Sequence, residues 1–122
     1  MAIYTSILQN EEIEISDSIA SLYQYYKFSG NEREIIRFIR EHNLLSILLD
    51  AVREIKRIFK NNTSFLEINL QHDPEENFIR IFIIIHTNLS PKDAVDLLDK
   101  LDEEWWLFID DDISNIVEIT VR

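Results

Sequence analysis

Phe65-Leu66-Glu67-Ile68-Asn69-Leu70-Gln71-His72, then Asp73-Pro74-Glu75-Glu76-Asn77, then Phe78-Ile79-Arg80-Ile81-Phe82-Ile83-Ile84-Ile85-His86-Thr87 is the passage on which the fold turns. In its first part Leu66, Ile68 and Leu70 alternate with Glu67, Asn69 and Gln71. That two-residue period belongs to a strand with one buried and one wet face. The middle part has Asp at a favoured first turn position and Pro preset for the second. The last part is apolar on both faces and rich in β-branched residues. The three together predict a β-hairpin.

Working outward, Leu44, Leu45, Leu48, Val52, Ile55 and Phe59 recur at three- and four-residue spacing and predict a helix over 44–59 with a core-facing stripe. Asn31 with Glu34 has capping-box spacing for a preceding helix whose apolar side is Ile35, Ile36, Phe38 and Ile39. Further upstream, Ile13 and Ile15 between acids hint at a short strand. Ser16 or Asp17 then caps a helix over 18–28, closed by Gly30. Downstream of the hairpin, Ser90-Pro91 is an N-cap followed by proline at the first helical position. Ala94, Leu98, Leu101 and Trp105 form the inner stripe of that helix, which is expected to run to about Trp106. Val117, Ile119 and Val121 alternate with Glu118, Thr120 and Arg122 as a last strand.

The expected fold is therefore α+β: N-terminal helices followed by β-β-α-β, with helices on one face of a three-stranded antiparallel sheet. The last strand could lie parallel to the second strand of the hairpin or antiparallel beside the first. The antiparallel solution, strand order 2-1-3, is the one expected here. Residues 1–122 form a single domain, with 1–29 as an N-terminal arm or helix and 30–122 as the α+β core.

The chain has 122 residues, 23 acids against 12 bases, one Gly and no Cys. Without Cys there is no disulfide framework, thiolate zinc site or cysteine nucleophile, and a single Gly removes glycine-rich phosphate loops. Charge is unevenly distributed. Residues 31–60 carry seven bases and five acids, whereas 61–122 carry fourteen acids and four bases. A basic middle and an acidic C-terminal half point to internal pairing, a basic partner, or both. A net charge of −11 disfavours binding to nucleic acid. No apolar run is longer than the five residues of Ile81–Ile85, too few to span a bilayer. The start has no secretory signal pattern, which leaves a cytoplasmic protein as the expectation.

No constellation carries chemistry. Asp110-x-Asp112-x-Ser114 opens like a calcium loop, but Asn115 stands where that loop needs Gly and Val121 where it needs Glu. His42, His72 and His86 form no local metal pair, and a simple hairpin puts His72 and His86 at opposite ends. No catalytic residue, cofactor-binding residue or metal ligand is assigned, and no enzyme activity is expected. Arg33, Arg37 and Arg40 share one helix face and Arg53, Arg57 and Lys60 another. Both read as solvated faces that pair with Glu34, Glu41 and Glu54.

Seven residues are candidates for contact with a partner. Asp96, Asp99 and Glu103 form the wet side of the last helix. Trp106 points away from the inner stripe if Trp105 belongs to it, because neighbouring helical residues diverge by about 100°. On the hairpin's second strand, Ile79, Ile81, Ile83 and Ile85 face the helices, which leaves Arg80, Phe82 and Ile84 on the other side. In order 2-1-3 that strand is also an edge. The apolar face could be covered by the N-terminal segment, through Ile13, Ile15, Tyr23 or Tyr26, or by a second chain. A homodimer is the expectation.

Thr87-Asn88-Leu89-Ser90-Pro91-Lys92-Asp93-Ala94 and Leu98-Asp99-Lys100-Leu101-Asp102-Glu103-Glu104-Trp105-Trp106-Leu107, together with Ile36–Leu45 and the hairpin, resemble a family of small acidic prokaryotic proteins. The resemblance covers roughly residues 35–122 and is concentrated in the helix from Ser90 to Leu107. It implies the non-toxic partner of a toxin–antitoxin-like pair, and it assigns no functional residue. The expected function is thus a small acidic interaction protein, antitoxin-like, that neutralises a basic partner. The alternatives are a metal-dependent nuclease or hydrolase using clustered Asp and Glu, and a homo-oligomeric structural domain.

Overall fold

The computed structural model describes residues 19–75 and 77–122. The short strand expected around Ile13 and Ile15, and the caps at Ser16 and Asp17, lie outside the described residues. Residues 19–25 are helical (α1). The chain continues through β1 (Tyr26–Ser29), α2 (Glu32–Glu41), α3 (Leu45–Phe59), β2 (Thr63–Asp73) and β3 (Phe78–Thr87). It closes with α4 (Pro91–Glu104), the short α5 (Asp111–Ser114) and β4 (Val117–Val121).

The class is α+β, but the sheet has four strands in the order β1-β2-β3-β4 and is mixed. Only the hairpin pair β2–β3 is antiparallel. β1 runs parallel to β2, and β4 runs parallel to β3. The expected three-stranded antiparallel sheet in order 2-1-3 is corrected on both counts, and the reason lies in residues 26–29. Tyr26 to Ser29 leave the helix expected over 18–28 and pair with Leu66 to Asn69. They thereby fill the slot beside β2 that the last strand was expected to take. Tyr26 and Phe28 alternate with Lys27, a pattern that suits a strand better than the end of a helix. The single glycine, at φ +96°, then turns the chain after a strand, not after a helix. With that slot filled, the α4 crossover delivers β4 to the free side of β3. β3 is consequently central, not an edge.

Local signals elsewhere act as expected. The Asn31 side chain accepts from the Glu34 backbone N–H at 3.2 Å, and the Ser90 hydroxyl from that of Asp93 at 3.2 Å. The α3 stripe is buried at Leu48, Val52, Ile55 and Phe59, joined by Ile47, Ala51 and Ile58. One core unites α2, α3 and α4 with Leu66, Ile68, Ile81, Ile83, Ile85 and Val117, so these helices cover one face of the sheet.

One member of the isoleucine row departs from it. Ile81, Ile83 and Ile85 are fully buried, whereas Ile79 is 43% exposed. β4 pairs with β3 only from Ile81 onward, and β1 reaches only Asn69 on β2. Beyond those points Leu70–Asp73 and Phe78–Arg80 continue as a two-stranded ribbon past the edge strands. Ile79 sits on that overhang.

Candidate interaction surface

The acidic side of α4 is built by helical spacing. Ala94 and Leu101 are buried and Leu97 and Leu98 half-buried. Lys92, Asp96, Asp99 and Glu103 recur at four-, three- and four-residue steps on the exposed side. Asp96, Asp99 and Glu103 make no ion pair among the described residues. Glu104, one position on, is also exposed but lies within reach of α3. It accepts from Arg57 at 2.8 Å, and Lys100 stands 3.9 Å away. The hydrogen bond from Arg57 holds the Glu104 carboxyl below the ordinary carboxylate range, and the bonds to Glu104 and Glu54 hold the Arg57 guanidinium above its usual value. Arg53 pairs with Asp50. Much of the positive charge on α3 is thus matched internally. Arg33, Arg37 and Arg40 on α2 are exposed and make no ion pair among the described residues, so the pairing expected for them with Glu34 and Glu41 does not form.

The end of α4 differs from the sequence expectation. The helix stops at Glu104, and Trp105 has left helical geometry at φ −142° and ψ −55°. Trp106–Phe108 form a single 3-10 turn, closed by bonds from the Phe108 N–H to the Trp105 carbonyl and from the Ile109 N–H to the Trp106 carbonyl, both 3.1 Å. The 100° divergence expected of neighbouring helical residues therefore does not apply. Both indoles pack half-buried against the core, 5.3 Å apart and tilted by 56°. Trp105 lines a shallow pocket with Asp50, Arg53, Glu54 and Arg57 of α3, and Trp106 lines another with Leu98, Leu101 and Ile119. Trp106 is thus no more an outward residue than Trp105.

The exposed pair comes next in the chain. Leu107 is 67% exposed and Phe108 79%, while Ile109, Ile113 and Ile116 turn back to the core. The sequence reading passed over Leu107 and Phe108, although a signal was present. Trp105-Trp106-Leu107-Phe108-Ile109 is five consecutive large apolar residues, more than one helix face can bury. Asp110, Asp111 and Asp112 follow, all exposed.

On the sheet face away from the helices the expected apolar patch is not open. Ile84 is 1% exposed, and Phe82 is half-buried. Because β3 is central, Glu67 and Thr120 stand in register on either side of Ile84. Arg80 is tied to Glu118 at 3.1 Å and lies over the Phe78 ring. His86 bonds Glu67 at 2.7 Å and stacks on Phe65, with ring centroids 4.0 Å apart. The His86 bond is the main cause of a Glu67 pKa below the ordinary range. His72, at the other end of the hairpin, contacts the Asn77 side chain at 3.2 Å. A shallow cavity of about 440 Å³ at that end is lined by His72 with Gln71, Asp73, Phe78, Arg80 and Phe82. Tyr26 does not cover this face, because it is buried in the core. Tyr23 stacks on Phe28 at 4.4 Å and donates to Glu32.

Among the described residues no group of three or more His, Asp or Glu side chains is placed to hold a metal ion, and no helix is long and apolar enough to cross a membrane. Comparison with protein-family models, with curated proteins and with solved structures gave no match.

Proposed function

We propose that the chain is a small acidic interaction protein, antitoxin-like, that neutralises a basic protein partner. The observation that carries this reading is the row Asp96, Asp99 and Glu103. Three carboxylates stand exposed on one side of α4 with no ion pair among the described residues, while neighbouring Glu104 and Arg57 satisfy each other. A helix that needed these acids only for internal charge balance would engage them as it engages Glu104. Left open, they set up a negative field that steers a cationic partner and fixes its approach.

The test is association with the product of an adjacent or overlapping reading frame that encodes a basic protein. Binding should weaken steeply as salt rises, because interactions between exposed charges are screened over about 8 Å at physiological ionic strength. The triple variant Asp96→Lys, Asp99→Lys, Glu103→Lys should bind at least about tenfold more weakly with an unchanged unfolding curve. Binding indifferent both to salt and to the triple variant overturns the reading.

A further inference from the structure

We infer that the Leu107–Phe108 turn is the point at which this protein enters its partner, and that the complementary site is an apolar socket rimmed by lysine or arginine. The inference rests on the acidic-partner reading above and deepens it.

Two adjacent large apolar side chains, 67% and 79% exposed, are the most exposed large hydrophobic residues among those described. Enclosing a Leu or Phe side chain takes a large apolar area out of water, so a partner that buries both gains substantially. The turn is also held in place beforehand. Its two backbone bonds close over Trp105 and Trp106, and both indoles, with Ile109 and Ile113, pack against the core. A turn fixed in this way loses little further freedom on binding, which favours affinity.

Charge selects the occupant. Exposed Glu103 precedes the turn and exposed Asp110, Asp111 and Asp112 follow it, none in an ion pair among the described residues. This rim repels phosphate, whether on a nucleic acid or on an anionic lipid surface, and it repels the same turn on a second copy. It complements a socket with a cationic border. An apolar centre inside a charged rim is also how tight protein interfaces are organised, with aromatic anchors at the middle.

The chain's two tryptophans directly precede Leu107 and report on the turn without a label. The probe is a synthetic amphipathic helix of Lys and Leu, titrated against the whole chain. Controls are a Lys-only peptide of equal length and a Glu–Leu peptide. The expected result is a shift in tryptophan emission with the Lys–Leu peptide and at least about tenfold weaker binding by Leu107→Ser/Phe108→Ser, whose unfolding curve should match that of the parent. The Lys-only peptide should bind more weakly, and the Glu–Leu peptide not at all. Equal binding of the Lys–Leu peptide to parent and variant overturns the inference and leaves the acidic-partner reading standing, with contact on the α4 row alone. Absence of binding by either cationic peptide overturns both. If light scattering instead shows self-association at tens of micromolar that the double variant abolishes, the occupant is a second copy and the inference falls.

Discussion

The hydroxyl of Tyr26 donates to the backbone carbonyl of Leu48 at 2.6 Å, joining the first residue of the β1 edge strand to the first turn of α3 inside the core. This bond fixes where β1 meets the helical layer. Tyr26→Phe keeps the ring and removes the bond, at an expected cost of about 1 kcal/mol in denaturant unfolding. Burial also pushes the Tyr26 pKa far above that of an exposed tyrosine. With the folded value raised, stability is full below the unfolded value near 10 and falls as pH rises beyond it. Unfolding curves between neutral and strongly alkaline pH should show that fall in the parent and less of it in Tyr26→Phe.

Trp105 and Trp106 have different neighbours at the end of α4 but are both half-buried. Trp105→Ala and Trp106→Ala should therefore cost similar amounts. Each loss should be about 2–3 kcal/mol, below the roughly 3–5 typical of a fully buried aromatic. Urea melts of the two variants check this. A large loss confined to Trp105 would restore a continuous helix through both positions.

Glu67 and His86 form the tightest polar contact on the outer sheet face, with side chains only 13% and 23% exposed. The Glu67 carboxyl titrates below its ordinary value, chiefly because of the bond to His86. The sign follows from linkage: the stabilisation is present above the unfolded carboxylate value and is lost as pH falls through the depressed folded value. Glu67→Gln should cost about 1–2 kcal/mol at neutral pH and close to nothing in strongly acidic solution. Equal costs at both pH values would assign the contribution of Glu67 to packing.

Along β3, Ile83→Ala should cost about 2–5 kcal/mol, whereas Ile79→Ala should cost under about 1 kcal/mol. The two residues share a row in the sequence pattern and differ only in whether neighbouring strands and helices reach them. Comparable losses would mean that the hairpin end is covered.

The hairpin, α2, α3 and the start of α4 were legible because each rests on local chemistry: alternation, helical spacing, and the caps at Asn31 and Ser90. The sheet was not, because its order depends on four residues, Tyr26 to Ser29, too few for their alternation to stand out against the aromatic helix they follow. Nothing local in 26–29 announces that Leu66 to Asn69 await a parallel partner. Without that pairing β3 reads as an edge and Ile84 as a residue needing cover from the N-terminal segment or a second chain, where the structure has a central strand and a buried side chain. At the surface, the α4 acids were visible as helix periodicity. Leu107 and Phe108 were hidden by the assumption that α4 continues through both tryptophans.

The sheet is two parallel strand–helix–strand units joined by one short turn, and this sets an order of assembly. Only β2 and β3 are close in sequence, while roughly thirty residues separate Ser29 from Thr63 and Thr87 from Val117. Short-range pairing closes quickly, whereas each parallel crossover first bears the entropy of a long loop. The central ribbon is the first sheet structure the chain can form, and the edges can join only after their crossover helices have packed. In refolding followed by pulsed amide exchange, the β3 amides that face β2 should gain protection before those that face β4, such as Ile81, which donates to the Ile116 carbonyl, and Thr87, which donates to that of Arg122. The newly formed hairpin meanwhile exposes both of its flanks, so the refolding chain is most prone to aggregate in that interval.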